Sequence, residues 1–345
     1  MLLAFILFIV LLVILFTLPA FQLNERSVKA IYLFEAVYIV ILSFYMLTFS
    51  GDLPVYCEAY DLINNTNKVV RGNFEPLYVL LNKLLYMLEL NASEAVSLMT
   101  VLGIVGILLY IPKYSSHALI SVFVYVTHFY FWIGAVLLRQ TLAMVLLFPL
   151  ISFLYNKKYL KTFGVILLAS LMHISSLTWL LVLLLFKINI VNHKRLTWIL
   201  VTLAFLFGYF DGFTFLIRLI APIFPRGEML LAYLSLQQSL NIFSYLEVVV
   251  VLFLAMHFKE YLLQDNKYAD VAITILIASA IIGGLSLNFG IGGRFVLVFN
   301  FFAFLIILPA FLSLFRNKVH NRLAALVLFS IPLLIIYIRN IYVNV

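Results

Sequence analysis

Charge is scarce in this sequence. Of its 345 residues 10% are charged and 66% hydrophobic, where an ordinary soluble domain carries about 25% charge. Such a chain cannot clothe itself in polar surface, which excludes a water-soluble globular fold. Cysteine is almost absent: Cys57 alone permits no internal disulfide and leaves no thiolate cluster for a metal. Long hydrophilic stretches, low-complexity segments and internal repeats are missing as well, so residues 1–345 read as a single domain. A net charge of +8 would point to nucleic acid in a soluble protein. Here the lysines and arginines fall mostly in short breaks between apolar runs, which is a topology signal.

What the sequence does contain is apolar runs long enough to cross lipid. Only a helix or a closed barrel satisfies its own backbone polar groups there. The expected fold class is therefore all-α integral membrane: a polytopic bundle of about a dozen transmembrane helices plus an interfacial helical region. Spans are expected near 2–20, 29–49, 93–111, 118–136, 140–155, 160–172, 174–188, 196–210, 241–258, 270–288, 295–315 and 322–340. The first resembles a signal peptide in position, yet no basic residue precedes it and no small-x-small cleavage site follows. A retained helix is expected.

Residues 74–90, FEPLYVLLNKLLYMLEL, are apolar enough to span but carry Glu75, Lys83 and Glu89. If this segment lies on the outer face, the loops holding Arg26/Lys29, Lys113, Lys157/Lys158/Lys161, Lys187/Lys194/Arg195, Lys259/Lys267 and Arg316/Lys318/Arg322 share one side, the cytoplasm. It is expected to be interfacial or re-entrant. Residues 50–92 and 211–240 then form the external regions, with both termini outside. The outward basic residues are mostly arginine, including Arg139, Arg218, Arg226 and Arg294. Arginine keeps its charge in poorly hydrated places and grips phosphate oxygens through a planar fork.

Four positions could carry chemistry. Asp52 suits the N-cap of a helix with Pro54 in its first turn, and Asn73 could cap one containing Glu75 and Pro76. Glu75 sits beside an aromatic at the membrane surface, where pairing with an arginine competes with catalysis. Arg139 opens RQTLAMVLLFPLISFLY after an apolar stretch, at a membrane boundary where such charges usually face a cavity. His173 interrupts LKTFGVILLASLMHISSLTWLLVLLLFKI, whose basic flanks belong on one side. Arms of about 13 residues reach about 20 Å, so this turn is expected to be recessed. The glycines of GGLSLNFGIGGRF carry no nucleotide fingerprint, since no strand precedes them, and read as close helix packing or an irregular turn ahead of Arg294.

Taken in order, GDLPVYCEAYD (Asp52, Tyr56, Tyr60), FEPLY (Glu75, Tyr78), RQTLA (Arg139, Gln140), ASLMHISSL (His173) and GGRFVLVFNFFAFLIILP (Arg294) are similar to the EpsG-like branch of Wzy-type polysaccharide polymerases. The likeness runs from about residue 50 to 310. The resemblance implies a GT-C-like glycosyltransferase in the bacterial cytoplasmic membrane, facing the periplasm, that builds O-antigen, capsule or exopolysaccharide. It would pass a glycan from undecaprenyl diphosphate to the next lipid-linked repeat unit, inverting the linkage with neither metal nor cofactor.

On this reading Arg139 and Arg294 hold the diphosphate, with Arg218 or Arg226 assisting. Glu75 or His173 would deprotonate the acceptor, and Asp52 joins them as a candidate catalytic residue. Tyr56, Tyr60, Tyr78 and Gln140 would meet the sugars. The expected partners are the lipid-linked oligosaccharide, membrane lipid and a chain-length regulator, without nucleic acid. A flippase for the same lipid, a membrane acyltransferase whose histidine has an acid close by, and an O-antigen ligase remain alternatives.

Overall fold

The computed structural model describes residues 24–47, 52–65, 74–130, 133, 136–223, 231, 242–289 and 292–313. Among these the chain is helical throughout, with no strand. Helix is present in each expected span that falls within the described residues; the expected spans 2–20 and 322–340 lie outside them, as does Asn73. Four helices are long and apolar enough to cross a membrane: Glu25–Phe44, Ala92–Tyr114, Leu138–Tyr155 and Gly292–Phe311. A fifth is added if Lys194–Tyr209 and Gly212–Leu219, bent by 70°, form one broken span. Shorter apolar helices occupy Ala118–Phe129, Tyr159–Ser170, Ile174–Lys187, Ser244–His257 and Ala269–Leu285. The protein is thus an all-helical membrane protein with four to five candidate spans among the described residues. The chain divides into two compact units, Met1–Leu177 with Leu308–Val345, and Thr178–Ile307.

In the first unit α1 (Glu25–Leu47), α2 (Leu53–Asn65) and α3 (Pro76–Met87) pack against α4 (Ala92–Tyr114). The chain continues through α5 (Ala118–Val124), a π-helical turn (Tyr125–Phe129), α6 (Leu138–Leu147), α7 (Pro149–Tyr155) and α8 (Tyr159–Ser170). Helix α3 has 12 residues, about 18 Å at 1.5 Å per residue, too short for a hydrocarbon core of about 30 Å. It buries Tyr78, Asn82 and Leu85 and exposes Leu80, Leu84 and Met87. Among the described residues, the segment between the first two candidate spans holds two short helices, with Glu89 after the end of α3 in a left-handed conformation (φ 60°).

Two details show how α4 recruits its neighbours. Pro112 lacks the N–H that would bond the Leu108 carbonyl, and the Tyr32 hydroxyl of α1 donates to that carbonyl instead. On another face Gly103 and Gly106 admit α6: a Cβ on Gly103 would sit 2.8 Å from Thr141 Cγ2, and one on Gly106 2.6 Å from Val145 Cγ1.

Helix α1 turns Leu33, Phe34, Val37, Ile41 and Phe44 outward and Glu35, Ile39, Leu42 and Ser43 inward, a helical stripe. Glu35 is 0% exposed, and both its carboxyl oxygens lack a hydrogen-bond partner among the described residues. Burying an unmatched polar group costs about 1–3 kcal/mol. Glu35→Leu is accordingly expected to raise the thermal midpoint of the purified protein by several degrees. A lower midpoint would mean that the carboxyl has a partner.

The second unit is built around α14 (Ala269–Leu285), buried on every side, as a helix apolar all round should be. Around it pack α9 (Trp179–Lys187), α10 (Lys194–Tyr209), which leads into the bent α11 (Gly212–Ile220), and α12 (Ile242–His257). Helices α10 and α14 meet backbone to backbone: a Cβ on Gly208 would stand 1.9 Å from the Gly284 carbonyl oxygen, and one on Gly284 2.8 Å from Phe205 N. A Cβ on Gly292 would meet Ser286 Oγ at 2.0 Å, so the glycine-rich stretch acts here in packing and turning. On α15 (Gly292–Ser313), Phe299 and Phe302 both lie 4.8 Å from the Trp179 ring. At another corner Lys259, which opens α13 (Lys259–Asp265), bonds Asn192 at 2.6 Å and reaches Asp270 at 3.3 Å.

Candidate active site

The site begins with a helix start. Pro76 occupies the first position of α3, where its missing N–H is no loss, so the residue before it, Glu75, takes the N-cap place (φ −73°, ψ 146°). A cap side chain ordinarily accepts from its own helix; that of Glu75 does not. Instead Leu77 N–H of α3 donates to the Leu171 carbonyl at 2.8 Å. That bond ties the start of α3 to the turn carrying His173.

The Glu75 carboxylate is thereby free to bridge other elements. Arg139, in the first turn of α6, donates from Nη1 to Oε2 at 2.9 Å. His173 Nδ1 lies 3.2 Å from Oε1, and the Ile174 N–H donates to the same oxygen at 3.2 Å. That N–H opens the 3-10 turn Ile174–Thr178. The Arg139 guanidinium also stands 5.6 Å from the ring centres of both Phe74 and Tyr78, within cation–π range. Side-chain exposure is 9% for Glu75, 27% for Arg139 and 23% for His173. The anion is buried, and the arginine and histidine that it holds remain partly accessible.

Burial alone would push the Glu75 carboxyl up. The His173 hydrogen bond, the Arg139 charge and the Ile174 N–H outweigh it and bring the carboxyl down to about 2. A carboxyl depressed below its ordinary 4.5 favours the folded state above about pH 4.5, and that contribution drains away as the pH falls towards 2.

Three of the residues expected from sequence therefore converge. Asp52 stands half-buried immediately before α2, its carbonyl accepting the Tyr56 N–H at 3.1 Å. Tyr56 is half-buried, with its hydroxyl donating to the Val136 carbonyl at 3.0 Å. Tyr60 and Tyr78 are buried: Tyr60 donates to the Leu90 carbonyl within the core of the first unit, and the Tyr78 ring lies against Arg139. Gln140 is buried as well. Arg218 and Arg294 are exposed residues of the second unit, while Arg226 lies outside the described residues.

Sequence reasoning missed the parts played by Phe74 and the Ile174 amide. It also passed over Glu35, although a carboxylate interrupting the run at 29–49 was in plain view. The Glu75 cap position was legible in the Glu-Pro step itself.

The described residues thus form an all-helical membrane fold carrying a buried carboxylate that pairs with an arginine and a histidine. The sequence matches the EpsG family over residues 30–345. The chain belongs to that family, whose members are membrane polysaccharide-polymerase-like proteins. No curated protein and no solved structure matches it.

Proposed function

We propose that this protein is a polysaccharide polymerase that joins undecaprenyl-diphosphate-linked repeat units by inverting glycosyl transfer at the outer face of the bacterial cytoplasmic membrane. The observation that carries the reading is the Glu75–Arg139–His173 cluster. Arg139 keeps only one nitrogen on Glu75, and a guanidinium has five N–H donors in a fork that fits phosphate. Held against Glu75 and beside two aromatic rings, it is preorganised for the charge that grows on a departing diphosphate. The acceptor hydroxyl must lose a proton, and the Glu75–His173 pair lies within reach of Arg139 to take it. Arg294, Arg218 and Arg226 are the further phosphate-binding candidates.

The test is reconstitution: purified protein in detergent, a synthetic lipid-diphosphate repeat unit, and chelator throughout. A ladder of products is expected on a gel. Intact substrate in the presence of folded protein would overturn the reading and turn attention to lipid transport across liposomes. One observation favours a second reading, that of a membrane acyltransferase: His173 does have an acid beside it, in Glu75. Transfer of labelled acyl groups to polysaccharide, with no ladder, would support it.

A further inference from the structure

The cluster holds two groups able to act as the base, and its geometry distinguishes them. Oε1 of Glu75 faces His173 Nδ1 and accepts from the Ile174 N–H, while Oε2 accepts from Arg139. Both oxygens are engaged, and the carboxyl is 9% exposed. A carboxylate so bound has little tendency to take another proton, in keeping with the downward displacement described above. An ionised carboxylate accepts hydrogen bonds and donates none. The 3.2 Å contact to Nδ1 therefore requires a proton on Nδ1, which in the neutral ring leaves Nε2 with its lone pair on a side chain that is 23% exposed.

We infer that Glu75 is a positioning residue and not the base: it fixes His173 in the Nδ1–H form, so that His173 Nε2 is the atom that receives the acceptor's proton. The catalytic half of this inference rests on the polymerase reading; the tautomer does not. In the step itself, the acceptor O–H bond breaks and its proton moves to Nε2. The freed oxygen bonds the anomeric carbon, and the anomeric C–O bond breaks with its electron pair leaving on the lipid diphosphate. Nothing is oxidised or reduced. The imidazolium that forms carries its new charge against the Glu75 carboxylate, which is where the anion acts during the reaction.

The arrangement also explains why the acid is placed at a helix start. Pro76 and the Leu77–Leu171 bond lock the backbone of α3 to the His173 turn, so the carboxylate is aimed by the main chain and not by a flexible surface side chain.

The experiment is nitrogen NMR of 15N-histidine-labelled protein in lipid, with the His173 signal among the six histidines assigned by its loss in His173→Phe. For the neutral ring, a protonated Nδ1 and a bare Nε2 are expected. In Glu75→Leu, which offers no acceptor for the Nδ1 proton, that preference should disappear, and kcat should fall about 100-fold or more with a much smaller change in KM for the lipid substrate. If the variant does not accumulate, Glu75→Leu with Arg139→Leu removes the unbalanced buried charge, and the nitrogen signals are read there. A protonated Nε2 in the wild type, or an unchanged tautomer in the Glu75 variants, overturns the inference. Correct tautomers in a protein that makes no ladder would sink the polymerase reading alone.

Discussion

Arg139→Ala is expected to abolish chain extension, leaving each acceptor with at most one repeat unit. Two effects add. Loss of a preorganised cationic donor costs roughly 100- to 1,000-fold in rate. Removing one partner of a buried pair also strands the other, at a cost of about 3–5 kcal/mol, and Glu75 is the buried partner here. The single variant is thus expected to lower both activity and protein level, and controls must separate the two. Glu75→Gln combined with Arg139→Ala eliminates the stranded anion and should restore the amount of protein without restoring the ladder. Arg139→Lys keeps the charge but loses the planar fork, so it should accumulate normally and extend chains slowly. The measurement is ladder intensity on a gel per unit of membrane-inserted protein. Normal ladders from the lysine variant and the double variant would remove Arg139 from the phosphate site.

Gly284→Val and Gly208→Val are expected to be the most damaging substitutions in the second unit. The contacts that a Cβ would meet at these positions are backbone atoms: the Gly284 carbonyl at 1.9 Å from Gly208, and Phe205 N at 2.8 Å and Ala204 C at 3.0 Å from Gly284. A rotamer change cannot relieve them, so α10 and α14 would have to separate. Overpacking a tight core costs about 1–3 kcal/mol and occasionally more, and here the added bulk pries apart the helix at the centre of the unit. Loss of monodisperse protein after detergent extraction is the expected outcome. Gly164, on α8, is the control, because nothing lies within 4 Å of its would-be Cβ. Gly164→Ala should be neutral or stabilising by up to about 1 kcal/mol. Well-behaved Gly284→Val protein would mean that the two helices do not approach as described.

Much of this was open to inspection in the chain. Apolar runs bounded by short basic breaks gave the helices, because lipid leaves the backbone no alternative. The short arms around His173 followed from spacing: α8 has 12 residues, and only 14 positions separate Ile174 from Lys187 inclusive. Glu75, Arg139 and His173 each stood out as polar residues in apolar surroundings. The burial of Tyr60 and Tyr78 was not legible, because an aromatic near a membrane boundary reads the same whether it faces a sugar or the core.

Composition and periodicity by themselves determined a helical membrane protein, and identified residues whose charge needs a reason to be there. Only the tertiary structure decided what those reasons are. Glu75 meets Arg139 across 64 residues and His173 across 98, separations over which no local pattern operates. Whether a carboxylate caps its own helix or bridges two others depends on which elements pack beside it. The same holds for the glycines: their identity licenses a close approach, but the approach of Gly208 to Gly284 exists only once α10 lies across α14. Local sequence sets what a side chain is able to do, and packing sets which partner it meets.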